Sequence, residues 1–289
     1  MVATFSVVFA WSCCGAEIVL EKDLVYGKGG ETELKLDLAR PKDGDGPFPA
    51  LVLIHGGGWA GGNRDSFLPL MKLAAERGYV ATTISYRLTQ PDPTTKLGKV
   101  PFPAQIEDCK CAVRWLKANA GKYHVDVNRV AVGGGSAGGH LSLLVGLTDD
   151  SSKLEGTGGY ADQSSRVNAV INIFGPTDML ECWKTSPGAR PFIQGLIGTP
   201  ETAPDAFKAA SPVTYISKDD PPVLTLHGSA DTLVPPSQAT LLDDAMKAAG
   251  AKHELLILEG QGHGFVGDSL VKSLETMWKF LDTNLKAKQ

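Results

Sequence analysis

Leu34, Leu36 and Leu38 alternate with Lys35 and Asp37, the two-residue period of a strand with one face covered and the other half exposed. With residues 17–26 ahead of it, the segment 31–39 predicts an antiparallel hairpin joined by Gly27-Lys28-Gly29-Gly30. After Pro47 the pattern changes. Short, nearly unbroken apolar runs predict buried strands at 50–54, 80–85, 130–132, 167–173, 223–226 and 254–258. Between them, apolar positions spaced by three and four predict helices near 66–77, 104–120, 236–249 and 269–285, and another begins just after Ser136. In the second of these, Ile106, Cys109, Val113, Leu116 and Ala120 mark one helical face. Alternating strands and helices predict an α/β protein: a mainly parallel central sheet with helices on both faces and an antiparallel N-terminal hairpin. In such a sheet the functional loops gather at the carboxyl ends of the strands.

Four of those ends carry reactive side chains. The run Arg129-Val130-Ala131-Val132 leads into Gly134-Gly135-Ser136-Ala137-Gly138-Gly139 and then a helix, the strand–corner–helix pattern of a nucleophile elbow. Glycines flanking the corner remove Cβ atoms that would strike neighbouring backbone, and Ser136 is left beside the free N–H groups of a helix N-terminus. A second strand ends in His55-Gly56-Gly57-Gly58, a loop whose N–H groups can converge on one oxygen. Gly57 and Gly58, with the N–H of Ala137, are therefore the candidate oxyanion hole, each donor worth ~3 kcal/mol in the transition state. Asp231 follows the strand 223–226, and His263 lies in a glycine-flanked loop after the next strand. The order Ser136, Asp231, His263 matches one of the known orders of a Ser–Asp–His triad and differs from those of the two large serine protease groups. Asp178 also closes a strand and is the rival acid; Asp231 is preferred because its strand immediately precedes the histidine's. His140 is expected to pack or hydrogen-bond beneath the site, His227 to support the acid loop, His55 to shape the glycine loop, and Arg87 to brace them.

On these motifs the chain resembles the α/β-hydrolase superfamily, in particular the esterase and lipase group typified by hormone-sensitive lipase. Ser85-Tyr86-Arg87-Leu88, Phe102-Pro103-Ala104-Gln105-Ile106-Glu107-Asp108 and Asp231-Thr232-Leu233-Val234-Pro235 extend the likeness over residues 48–265. Gly135 stands where many lipase-like relatives have Asp, and the long N-terminal cap of those relatives has no counterpart ahead of His55; both departures bring the chain nearer to compact feruloyl-esterase-like and acetyl-esterase-like members. The resemblance implies a serine ester hydrolase acting on short-chain or compact aromatic acyl esters, small or linked to polysaccharide, without metal or organic cofactor. Feruloyl or acetyl-xylan esterase, arylformamidase or small peptidase, and a non-catalytic ligand-binding protein are the alternatives. The excursion 174–221, with Trp183, Phe192 and Phe207, is either a lid or pocket insertion or a surface loop packed on its own aromatics.

At 289 residues and 43% hydrophobic content, the chain can bury a large core, and residues 17–289 are expected to form a single domain. A net charge of −4 gives no electrostatic footprint for nucleic acid. No apolar stretch after the N-terminus is long enough for stable membrane insertion. Residues 2–11 are apolar and end near Cys14-Gly15-Ala16, so 1–16 is expected to be a signal peptide of a secreted or periplasmic protein. It has no basic residue before Lys22, and without export the protein would be cytoplasmic. Cys109 and Cys111, two apart on a helix, point in different directions, so they and Cys182 are expected to be free. Neither cysteines nor histidines show zinc-ligand spacing.

Overall fold

A computed structural model describes residues 16–90 and 92–286; the expected signal peptide, apart from Ala16, lies outside the described residues. The strands are β1 (Ile18–Gly29), β2 (Thr32–Pro41), β3 (Phe48–Ile54), β4 (Val80–Ile84), β5 (Val125–Gly135), β6 (Ala169–Ile173), β7 (Val223–Gly228) and β8 (His253–Leu258). They form one sheet in the order β1-β2-β4-β3-β5-β6-β7-β8. β2 pairs antiparallel with both β1 and β4, and every pair from β4 to β8 is parallel. The helices are α1 (Leu68–Glu76), α2 (Ala104–Ala118), α3 (Ala120–Tyr123), α4 (Ala137–Leu147), α5 (Met179–Thr185), α6 (Arg190–Ile197), α7 (Pro204–Ala209), α8 (Ser237–Ala249) and α9 (Gly267–Leu285).

Successive strand side chains face opposite sides of the sheet, and the core divides accordingly. From β3, Val52 and Ile54 join Val132 and Val170 beneath Ile106 and Val113 of α2 and Leu141 and Leu144 of α4. Leu51 and Leu53 face the other way, among Ile171, Met71 of α1, and Trp278 and Leu281 of α9. Burial on both faces, about 2 kcal/mol for each large aliphatic side chain, removes any freedom in register.

Two boundaries differ from the sequence expectation. The linker predicted at 27–30 is mostly strand, since β1 continues to Gly29. Gly27 is glycine because of crowding within the strand: a Cβ there would lie 2.7 Å from both Cys111 Sγ and the Gly158 carbonyl oxygen. β5 also begins five residues before the apolar run, at Val125, which pairs with Phe48. After the buried Val125 its residues are mostly polar because 126–129 fall in the register shift between the Phe48–Val125 and Ala50–Val130 pairs, where Arg129 donates from Nη2 to the Pro47 carbonyl at 2.6 Å.

Candidate active site

β5 delivers Ser136 to a corner with φ 57° and ψ −120°, a region costing a non-glycine residue about 1–3 kcal/mol. Two features hold the corner. The Ser136 N–H donates to the Ile173 carbonyl at 2.8 Å, tying it to β6. Gly138 lies so close to β3 that a Cβ would sit 2.0 Å from the Ile54 oxygen, so no other residue fits without displacing the strand. α4 starts at Ala137, and an amide in the first turn of a helix has no carbonyl of its own helix to donate to.

His263 reaches Ser136 from the loop after β8. Its Nε2 lies 2.8 Å from Ser136 Oγ, and its Nδ1 lies 2.7 Å from Asp231 Oδ2. An ionised carboxylate only accepts, so Nδ1 carries the proton and Nε2 presents its lone pair to the serine hydroxyl. Asp231 is 3% exposed. Burial pushes its carboxyl upward, but the hydrogen bond from His263 and those from the Val234 and Leu233 N–H groups, both 2.9 Å, outweigh it and hold the group below the usual carboxylate range. His227 donates from Nε2 to the Val234 carbonyl at 2.8 Å and so fixes the same loop; burial keeps its imidazole below its ordinary value. Asp178 is turned elsewhere. It caps α5, accepting from the Glu181 N–H at 2.9 Å.

The glycine loop turns back beneath this chain. Gly57, at φ 117°, takes a conformation that L side chains rarely adopt, and its carbonyl accepts from the Gly61 N–H at 2.9 Å. Trp59, at φ 56°, is buried and donates from Nε1 to His140 Nδ1 at 3.2 Å. His140 Nε2 donates to the Ala210 carbonyl at 2.7 Å, so this one ring joins the glycine loop to the 174–221 excursion. Burial pushes His140 down to about 4, which keeps it neutral and its Nδ1 an acceptor. His55 stacks on Tyr86 with ring centres 4.4 Å apart, and the Tyr86 hydroxyl donates to the His55 carbonyl at 3.1 Å. Arg87 binds the buried Asp108 of α2 through its backbone N–H at 2.8 Å and Nη2 at 2.7 Å.

Gly57, Gly58, Ser136, Ala137 and His263 thus border one cavity of about 440 Å³. Its walls are apolar: Phe67, Phe174, Ala189, Phe192 and Val234 among others. Pro176, Ala189 and Phe192 come from the 174–221 excursion, which carries α5, α6 and α7. Sequence reasoning missed Phe67 as a wall residue and did not single out Phe174, the first residue of the excursion expected as a lid or pocket insertion. Phe174 follows β6 directly, and its ring lies 4.6 Å from that of His263, so its place at a carboxyl strand end was the available signal. Cys109, Cys111 and Cys182 are buried and free.

The parallel sheet with its antiparallel edge, the strained serine corner and the loop-borne Asp and His define an α/β-hydrolase. The family model BD-FAE matches residues 36–246. The chain belongs to the BD-FAE family, within the esterase and lipase group of that fold. Among curated proteins it is 33% identical over 265 residues to Esterase LipC of Mycobacterium tuberculosis, covering 87% of this chain and 62% of LipC. The chain spans between 51% and 62% of the length of the three mycobacterial relatives compared. Among solved structures, the thermophilic esterase Est2 of Thermogutta terrifontis with propionate bound has a TM-score of 0.77 and 31% identity, covering 96% of this chain and 97% of Est2. A truncated carbohydrate esterase from gut microbiota has a TM-score of 0.76 and 27% identity, covering 91% and 96%.

Proposed function

We propose that the protein is a serine carboxylesterase with Ser136 as nucleophile, His263 as general base and acid, and Asp231 as the group that orients the imidazole. The observation that carries this reading is the unbroken run from Asp231 Oδ2 through His263 to Ser136 Oγ, with steps of 2.7 and 2.8 Å, opening into the cavity bordered by Gly57, Gly58 and Ala137. Ser136 Oγ bonds to the ester carbonyl carbon as its proton passes to His263 Nε2. The carbonyl oxygen becomes an oxyanion held by the N–H groups of Gly57, Gly58 and Ala137, and His263 then protonates the departing alcohol. Water enters by the same route, and the acid leaves. The residues named supply each proton transfer and charge stabilisation in this sequence.

On the acyl side the reading is a short-chain or compact aromatic group, because Phe192 closes directly over the glycine loop. A Cβ on Gly58 would lie 2.3 Å from the Phe192 ring. Similarity to a carbohydrate esterase favours a second reading, in which the alcohol is a saccharide. The test of the core proposal is labelling by a fluorophosphonate together with hydrolysis of p-nitrophenyl acetate. One label on Ser136 is expected, and Ser136→Ala should lose on the order of 10⁶-fold in kcat. Labelling of another serine, or turnover by Ser136→Ala close to the parent rate, would refute the assignment.

A further inference from the structure

The cleft does not end at the serine. Past Phe67 and Phe174 lies a second cavity of about 530 Å³, set between the first turns of α1 and α9 above the ends of β6 and β7. Leu70, Leu73, Phe265, Leu274 and Met277 line it, and none of its lining residues is charged. Of its two serines, Ser273 already donates to the Leu270 carbonyl at 2.7 Å. The two cavities share Ser66, Phe67, Gly135 and Phe174, so the second adjoins the catalytic one. Of its lining residues Leu270 is 43% exposed, an apolar margin open to solvent.

Gly135 lies on the boundary between the two cavities. It lies outside the left-handed region, and a Cβ there would meet the Phe174 and Phe67 rings at 3.4 and 3.9 Å, ordinary contact distances. Neither the turn nor the packing therefore demands glycine at this position. Its effect is to leave the gap between the two rings open.

The second cavity adjoins the first on the side of the base. Phe174 packs on the His263 ring and, with ring centres 5.3 Å apart, on Phe265, a wall of the second cavity. His263 Nε2 must face the leaving oxygen to protonate it, so a substituent running past Phe174 belongs to the alcohol. Saccharide hydroxyls in a chamber without charged groups would lose water without regaining hydrogen bonds, whereas an alkyl or aryl group loses nothing.

We propose that this second cavity is the alcohol-binding site and that it selects esters of apolar alcohols, aliphatic or aromatic. The inference rests on the serine esterase reading and specifies its leaving group. The experiment compares kcat/KM for methyl, butyl, hexyl and benzyl acetates, for methyl esters from acetate to hexanoate, and for acetylated xylan. It uses the parent protein, Leu270→Asp and Gly135→Leu. Along the alcohol series the parent should gain roughly threefold per buried methylene, and the acyl series should show no such rise. Leu270→Asp puts a charge on the exposed rim, and Gly135→Leu places a bulky side chain where the two cavities meet; each should flatten the ratio of hexyl to methyl acetate within the same protein. Acetylated xylan as the best substrate, a rise along the acyl series instead, or an unchanged hexyl-to-methyl ratio in both variants would overturn the proposal. Fluorophosphonate labelling carries fluoride as its leaving group and needs no alcohol site. A Ser136 label without alcohol selectivity defeats this inference alone; absence of the label defeats the esterase reading itself.

Discussion

Asp231 and Asp178 both follow strands that reach the catalytic end of the sheet, and a single neighbour separates their roles. Asp231 touches His263 Nδ1, while Asp178 spends its carboxylate on the first turn of α5. Asp231→Asn should lower kcat about 10⁴-fold, because an amide supports the wrong imidazole tautomer. Asp178→Asn should leave kcat within a few-fold and shift stability by less than about 0.5 kcal/mol, since Asn caps a helix as well as Asp. Steady-state kinetics and thermal melts of the two variants decide it; the reverse ranking would move the acid to the loop after β6. At this scale the meeting of Ser136, Asp231 and His263 was legible in the chain, because each sits in a short motif at the end of its strand. The Trp59–His140–Ala210 link was only half legible. His140 could be expected beneath the site, but its partners lie 81 residues before it and 70 after it, and no spacing rule reaches that far. Phe67 was missed, and Phe174 not singled out, for a related reason: an aromatic side chain shows its function only through the cavity it borders.

Elements are legible where burial imposes an apolar pattern, alternating when one face is covered and unbroken when both are. The strands 50–54, 223–226 and 254–258 therefore came through nearly whole as β3, β7 and β8. The polar start of β5 did not, because Asp126 and Asn128 carry no apolar signal and fall in the register shift between the Phe48–Val125 and Ala50–Val130 pairs. The same limit hid how the loop after β4 is held. Arg87 was expected to brace the loops, yet its partner, Asp108, lies on the buried face of α2, where an apolar residue is the usual occupant. Burial raises the Asp108 carboxyl, and the Arg87 guanidinium and backbone N–H oppose that rise. Asp108→Asn would leave the guanidinium facing a neutral amide in a largely dry setting. The expected cost is about 3 kcal/mol, roughly 6–12 °C in Tm for a protein of this size. Differential scanning calorimetry of the variant measures it directly. A loss below about 1 kcal/mol would mean that Glu107, 3.4 Å from Arg87 Nη2, takes over the charge.

Across the whole molecule, the acid response follows from where the histidines ended up. Burial lowers His55, His140, His227 and His253 from their ordinary value, His140 to about 4. A histidine depressed in the folded state is protonated first in the unfolded chain, so the unfolded state binds more protons once pH falls below about 6.5. Stability is therefore fully present above that value and declines as pH falls toward the folded values. His140 alone should remove about 2 kcal/mol by pH 5. Asp231, held below the usual carboxylate range, keeps its contribution throughout this window and loses it only in stronger acid. Asp108 and Asp220 are raised by burial and work in the opposite direction as pH falls toward the ordinary carboxylate range. The expected result is a Tm that is level from pH 8 to 7 and falls steadily from pH 6.5 to 5 at constant ionic strength. Activity should follow the loss of structure, because His140 can accept the Trp59 N–H only while its Nδ1 is bare. A Tm that stays level down to pH 5 would mean that these rings find carboxylate partners on protonation, and that the buried His140 does not hold the glycine loop as a neutral acceptor.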